Sequence, residues 1–132
     1  MTPVDQRAFA DSSEAVGDCL SACFATVLDL PLAEVPVFVA EPDYYRAMVR
    51  WLDARGLALV MLQFFEGWPW IPPDNLPLIV GGPSPRGTPE TPMNHAVVAI
   101  WRGAGMEVLH DPHPSRAGLA GEIQTVYILV PR

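Results

Sequence analysis

The sequence predicts an α+β domain in which N-terminal helices pack on an antiparallel β-sheet. Apolar residues recur with helical spacing only before Gly56, and after it they come in short runs bounded by Pro, Gly and Asn, as buried strands do. No helical pattern separates the late strands, which disfavours a parallel βαβ sheet, where each crossover needs one. At 132 residues the chain, 1–132, is a single domain of a size that buries one core without staples.

Residues 1–16 are polar and read as irregular. A first helix follows over 18–29, stopped by Pro31, with Leu20, Cys23, Phe24, Val27 and Leu28 as its core-facing stripe. "PLAEVPVF" has room only for a short helical turn between its prolines. A second helix spans 43–55, with Asp43 as N-cap and Gly56 as stop, and its stripe is Tyr44, Ala47, Met48, Trp51 and Leu52. "LALVMLQFF" and "LPLIVGG" read as buried strands. "NHAVVAIWR" and "MEVLH" form a hairpin about the turn Gly103-Ala104-Gly105, and "EIQTVYILV" closes the chain. Between strands lie the Pro-rich loops "EGWPWIPPDN" and "GPSPRGTPETPM", with Trp68 and Trp70 expected to pack under the sheet.

Composition narrows the function. Half the residues are hydrophobic and 17% are charged, which excludes a disordered chain. The net charge of −7 argues against a nucleic-acid partner, because phosphate binding needs a basic face. No apolar run reaches the ~18–20 residues of a membrane span, and none at the start suits a signal peptide. A soluble cytoplasmic protein with two reduced thiols is therefore expected, with no membrane partner.

The two thiols, Cys19 and Cys23, differ in position. Cys23 lies within the apolar stripe and reads as a small buried hydrophobe. Cys19 falls in the first turn at the stripe's edge, where unpaired N–H groups and the positive end of the helix dipole favour a thiolate. Asp18, as N-cap, would point its carboxylate at the following amides. A cysteine nucleophile needs a base, and the base an orienting acceptor. His95 opens the "NHAVVAIW" strand, on the face of Val97, Ala99 and Trp101. If the hairpin pairs residues summing to 206 or 208, Asp111 stands opposite His95 or diagonal to it on the same face. Alternation sends His110 to the other face, and His113 reads as a solvated loop histidine.

A Gln, a "DC" opening a helix backed by small residues, a His beginning a Val-rich strand and a "DP" ending the next strand form a pattern similar to that of papain-like cysteine peptidases. It most resembles the peptidase domain of bacteriocin-processing transporters, which cleaves after double-glycine leaders, and its stand-alone relatives in bacteria and phages. The resemblance runs from Gln6 to Pro112. It implies a papain-like fold, Cys19 as nucleophile, His95 as base and Asp111 as its orienter. It also implies that Gln6 donates to the oxyanion hole together with the Cys19 N–H. Two departures stand out: Leu20 occupies a place where the family usually has Gly, and "RAFADSSEAVG" must loop out if Gln6 is to reach the site. The domain is expected to stand without a transporter, so the leader substrate is not expected to carry over.

The expected activity is that of a cysteine hydrolase, peptidase- or amidase-like, acting on a peptide or other amide-containing substrate through a thioester. Acyl transfer is the same chemistry with a different acceptor, and no cofactor is required. Gly81-Gly82 and Arg86, in the loop before His95, either border the cleft, with Arg86 meeting a carboxylate, or form a surface turn. Two other readings are a non-catalytic binding module of the same fold and a zinc site built from Cys19, Cys23 and "HDPH".

Overall fold

The computed structural model describes residues 1–9, 17–64, 71–103 and 105–132. Helix α1 is Cys19–Leu28, and α2 is Tyr44–Asp53. Two short 3₁₀ turns, Leu32–Glu34 and Phe38–Ala40, lie between them, cut to that length by Pro31 and Pro36. Strands β1 (Leu57–Gln63), β2 (Pro77–Pro83), β3 (Asn94–Trp101), β4 (Met106–His110) and β5 (Thr125–Pro131) follow. The fold is α+β: two helices and a five-stranded sheet ordered β1-β5-β2-β3-β4, antiparallel at every pairing. Among the described residues no helix is long and apolar enough to cross a membrane. Trp68, Trp70 and the turn residue Ala104 lie outside the described residues.

The two helices differ in how they sit. Helix α2 is amphipathic as its spacing predicts: Met48 and Leu52 are buried, Ala47 and Trp51 pack beside them, and Asp43 caps it by accepting the Arg46 N–H at 3.2 Å. Helix α1 is buried all round, from Leu20 through Thr26. The sheet covers one side, the 3₁₀ turns a second, and an N-terminal strap a third. Its polar residues are satisfied accordingly. Ser21 Oγ donates to the Pro36 carbonyl (2.5 Å), and Thr26 Oγ1 donates to the Ala22 carbonyl and accepts the Val4 N–H. The helix ends at Asp29, whose left-handed backbone (φ 55°) closes the last turn. Phe24, Phe38 and Trp51 meet edge to face, at centroid distances of 5.3 and 5.7 Å.

The sheet has apolar residues on both faces. Ile79, Ala96, Val98 and Tyr127 pack against the helices. Leu78, Val80, Val97, Ala99 and Val126 form a second cluster on the opposite face, covered by Leu119 and Ile123 of the segment before β5. That segment is hydrogen-bonded to β2 through Ala120 N–H to Pro83 O and Gln124 N–H to Gly81 O, both 2.8 Å.

The N-terminal strap ties α1 to the end of β4. The Gln6 N–H donates to the Pro112 carbonyl, His110 Nε2–H donates to the Val4 carbonyl, and the Arg116 guanidinium grips the Asp5 carboxylate at 2.6 and 2.8 Å. His110 thus lies away from His95, as strand alternation predicts.

Candidate active site

Cys19 is the first residue of α1, and its neighbours define the sulfur's surroundings. The N–H groups of Cys19 and Leu20, which have no helical acceptor, and the N–H of Ala96 in β3 lie close enough to the sulfur to act on its pKa. These donors favour a thiolate, but burial outweighs them and the thiol pKa is raised above its ordinary value. The negative charge of Asp18 adds to that rise. The expectation of a thiolate at rest is therefore corrected: desolvation exceeds what the helix terminus supplies. Asp18 also does not cap α1. Its Oδ1 accepts the N–H groups of Arg7 and Ala8, both at 3.0 Å, and so anchors the strap. Cys23 is fully buried in the core, and burial pushes its pKa well up.

His95 Nε2 lies 2.6 Å from Asp111 Oδ1, with both side chains about as buried as the core. The ladder shows how they meet. Near the turn β3 and β4 pair with residue numbers summing to 207, as in Ala99 with Val108. Continued to the strand's end, that register would set Asp111 opposite Ala96, on the face away from His95. A bulge between Val98 and Ala99 adds one residue on β4, so that Val98 pairs with His110. Beyond the bulge the sum is 208, and Asp111 becomes diagonal to His95 on its own face.

Asp111 is held by more than the imidazole. Its Oδ1 also accepts the His113 N–H (2.9 Å), Oδ2 accepts the Gly118 N–H (2.7 Å), and its carbonyl accepts from Arg116. Burial works against the carboxylate's charge, but the donors from His95, His113 and Gly118 outweigh it and lower its pKa. Because an ionised carboxylate only accepts, the His95 proton sits on Nε2 and Nδ1 keeps its lone pair. Burial lowers the His95 pKa against the raising effect of Asp111, so the ring is neutral at neutral pH.

A cavity of about 790 Å³ opens where α1 meets the sheet, and Cys19 and His95 both line it. Its floor is a row across four strands on the helix-facing side, Gln63-Thr125-Gly81-Ala96 in successive pairings. Gly81 leaves this row without a side chain in the middle. A Cβ there would make only ordinary contacts, 3.6 Å from the His95 carbonyl and 3.9 Å from the Thr125 Cβ, so the position accepts a side chain. Gly82 is different: a Cβ would come within 2.9 Å of the Glu122 carbonyl, where the covering segment crosses β2. The two glycines thus border the cleft.

Gln6 is buried beside these groups and does not line the cavity. Its Nε2 donates to the Ala8 carbonyl at 2.8 Å, leaving one amide hydrogen uncommitted, and its Oε1 has no partner among the described residues. The loop it would have to close, residues 10–16, lies outside the described residues.

His113 is not a free loop histidine. Its ring stands edge-on to His95 at 6.3 Å and to Phe9 at 5.2 Å, and its Nδ1 shares a hydrogen bond with Ser115 Oγ. The "DPHP" spacing offered no sign of this, because the contact depends on the loop folding back around Asp111. Among the described residues no group of three or more His, Cys, Asp or Glu side chains could hold a metal ion, and the two cysteines occur as free thiols. No family model, curated protein or solved structure matches the chain.

Proposed function

We propose that this protein is a cysteine-dependent hydrolase of papain-like fold, acting on an amide or related acyl bond. The observation that carries the reading is a shared cleft. Cys19 and His95 line one cavity, Ala96, directly after His95, lies close enough for its N–H to lower the thiol pKa, and Asp111 holds His95 Nε2. A nucleophile, a base and an orienter at one cleft are the parts that acyl transfer requires.

The chemistry starts from neutral partners. As Cys19 Sγ attacks the carbonyl carbon, its proton passes to His95 Nδ1, and the Asp111 carboxylate stabilises the imidazolium that forms. Charge gathering on the carbonyl oxygen meets the Cys19 N–H, and Gln6, which keeps its amide on the Ala8 carbonyl and does not line the cavity, would have to turn to supply a second donor. The imidazolium then gives its proton to the leaving amine as the carbon–nitrogen bond breaks, which leaves a thioester on Cys19. Water, deprotonated by His95, attacks the thioester and releases the acid and the free thiol.

One observation favours the reading of a non-catalytic binding module: the Cys19 thiol is raised, not lowered, by its surroundings. A single experiment separates the two. Turnover of peptide and acyl-amide libraries by wild type, abolished in Cys19→Ala and reduced in His95→Ala with both variants folded, supports the hydrolase. Saturable peptide binding with no turnover, equal in wild type and Cys19→Ala, supports the module.

A further inference from the structure

Arg86 lies one hydrogen-bonded residue away from His113, with no carboxylate to answer it. Five of the other arginines are occupied: Arg46 with Asp43, Arg102 with Glu107, Arg116 with Asp5, Arg132 with Asp53, and Arg55 over the Trp51 ring, whereas Arg7 and Arg50, like Arg86, have no acidic partner among the described residues. Arg86 Nη1 instead donates to a neutral hydroxyl, Ser115 Oγ, at 3.3 Å, and among the described residues no acid lies within ion-pair distance of it. Of the three arginines without an acid, Arg86 is the one whose contacts lead through Ser115 to His113 and His95.

Arg86 sits on a firmly built turn. Ser84, itself buried, accepts the Arg86 N–H on Oγ and the Gly87 N–H on its carbonyl, while its own N–H donates to Met93 O at 2.8 Å. Gly87 is packed so closely that a Cβ would fall 2.7 Å from the Met93 nitrogen. From this turn a continuous chain of contacts reaches the base: Arg86 to Ser115, Ser115 to His113, and the His113 ring against His95. The guanidinium is near enough that its charge disfavours protonation of both imidazoles.

We propose that Arg86, with Ser115 and His113, forms a subsite for a carboxylate on the leaving-group side of the substrate. This rests on the hydrolase reading, because the base is the group that protonates the leaving amine, and the three residues reach that base from outside the residues that line the cavity with Cys19. A planar guanidinium suits a carboxylate geometrically, and Ser115 holds it in place, its own hydroxyl proton turned to His113 Nδ1. The carboxylate belongs either to the substrate's own C-terminus or to an acidic side chain just after the scissile bond.

The test measures binding by the imidazole resonances of His95 and His113 in the Cys19→Ser variant, which cannot turn substrate over through a thiol. Three probes are titrated: acetyl-glycyl-alanine as the free acid, the same dipeptide as its amide, and acetyl-aspartyl-alanine amide. At least one acid is expected to bind about tenfold or more tightly than the neutral amide. The free acid alone identifies a terminal carboxylate, and the aspartyl amide alone a side chain. Arg86→Gln should remove the preference and Arg86→Lys should keep part of it. Equal binding of all three probes, no detectable binding of either acid, or a preference that survives Arg86→Gln overturns the subsite. Failure of the hydrolase reading looks different: the preference is present, yet wild type turns over no acyl substrate.

Discussion

His95 and Asp111 are neighbours because β4 contains one residue more than its partner needs. The bulge at Val98/Ala99 shifts the register from 207 to 208 and brings a carboxylate that would face away to 2.6 Å from the imidazole. A bulge used in this manner aims a side chain rather than merely ending a strand.

Asp111→Asn should preserve the shape of the site and reduce kcat/KM on the order of 10²- to 10⁴-fold, since the imidazole loses its orienting acceptor. Asp111→Ala should in addition destabilise the fold by about 2–4 kcal/mol, leaving the His113 and Gly118 amides and the His95 ring without their acceptor. Urea unfolding measures the second effect. An unchanged midpoint in Asp111→Ala would mean that the 111–118 loop does not depend on this carboxylate.

Alkylation of the native protein by iodoacetamide should modify Cys19 and spare Cys23, which becomes reactive only on unfolding. Because burial raises the Cys19 thiol, the rate should be low near pH 6 and climb into the alkaline range. Intact mass against time at several pH values follows both features. Rapid labelling at pH 6 would show that the amide donors outweigh burial after all.

The two glycines of β2 should respond oppositely to valine. Gly81→Val fits the strand and its space, so the fold should be kept or slightly stabilised while the side chain fills the cleft floor and large substrates are lost. Gly82→Val meets the Glu122 carbonyl and should lower the melting temperature. Calorimetry with activity, run side by side, distinguishes the two. Equal loss of stability in both variants would contradict the room for a side chain at Gly81.

Stability should fall with acid in two stages. The folded pKa of His95 is depressed below the ordinary value near 6.5, so under about pH 6.5 the unfolded chain takes up a proton that the folded one refuses. Stability is therefore lost as pH falls from there toward the folded value. His113 is also depressed and adds to this window. Asp111 contributes stability that is complete above about pH 4 and lost as pH falls through its lowered folded pKa. Unfolding midpoints across pH 3–8 test this, and His95→Asn should shrink the upper stage and spare the lower.

The α+β class, α2 and the strand runs were legible because each carries its own periodicity. The pairing of His95 with Asp111 was partly legible through strand alternation, and the cavity position of Cys19 through its place at a helix start. The bulge was not, since no Gly or Pro marks it and the 207 register near the turn is odd. Nor was the burial of α1 on all sides, because the covering comes from the strap and the 3₁₀ turns, which have no periodic pattern. Asp18 misled for a related reason: capping and anchoring a distant segment use the same carboxylate, and only the fold decides between them.

The strap has a consequence for how the site comes into being. Its partners are among the most distant in the chain, 106 residues away for Val4 with His110 and 111 for Asp5 with Arg116. Contacts of that span cost the most loop-closure entropy and form late. The strap must therefore wait for a segment 106 to 111 residues later before the loop behind Asp111 can close. The helix and sheet can collapse earlier, so a nascent chain would hold its thiol in a nearly finished core while its imidazole still lacked a fixed orientation.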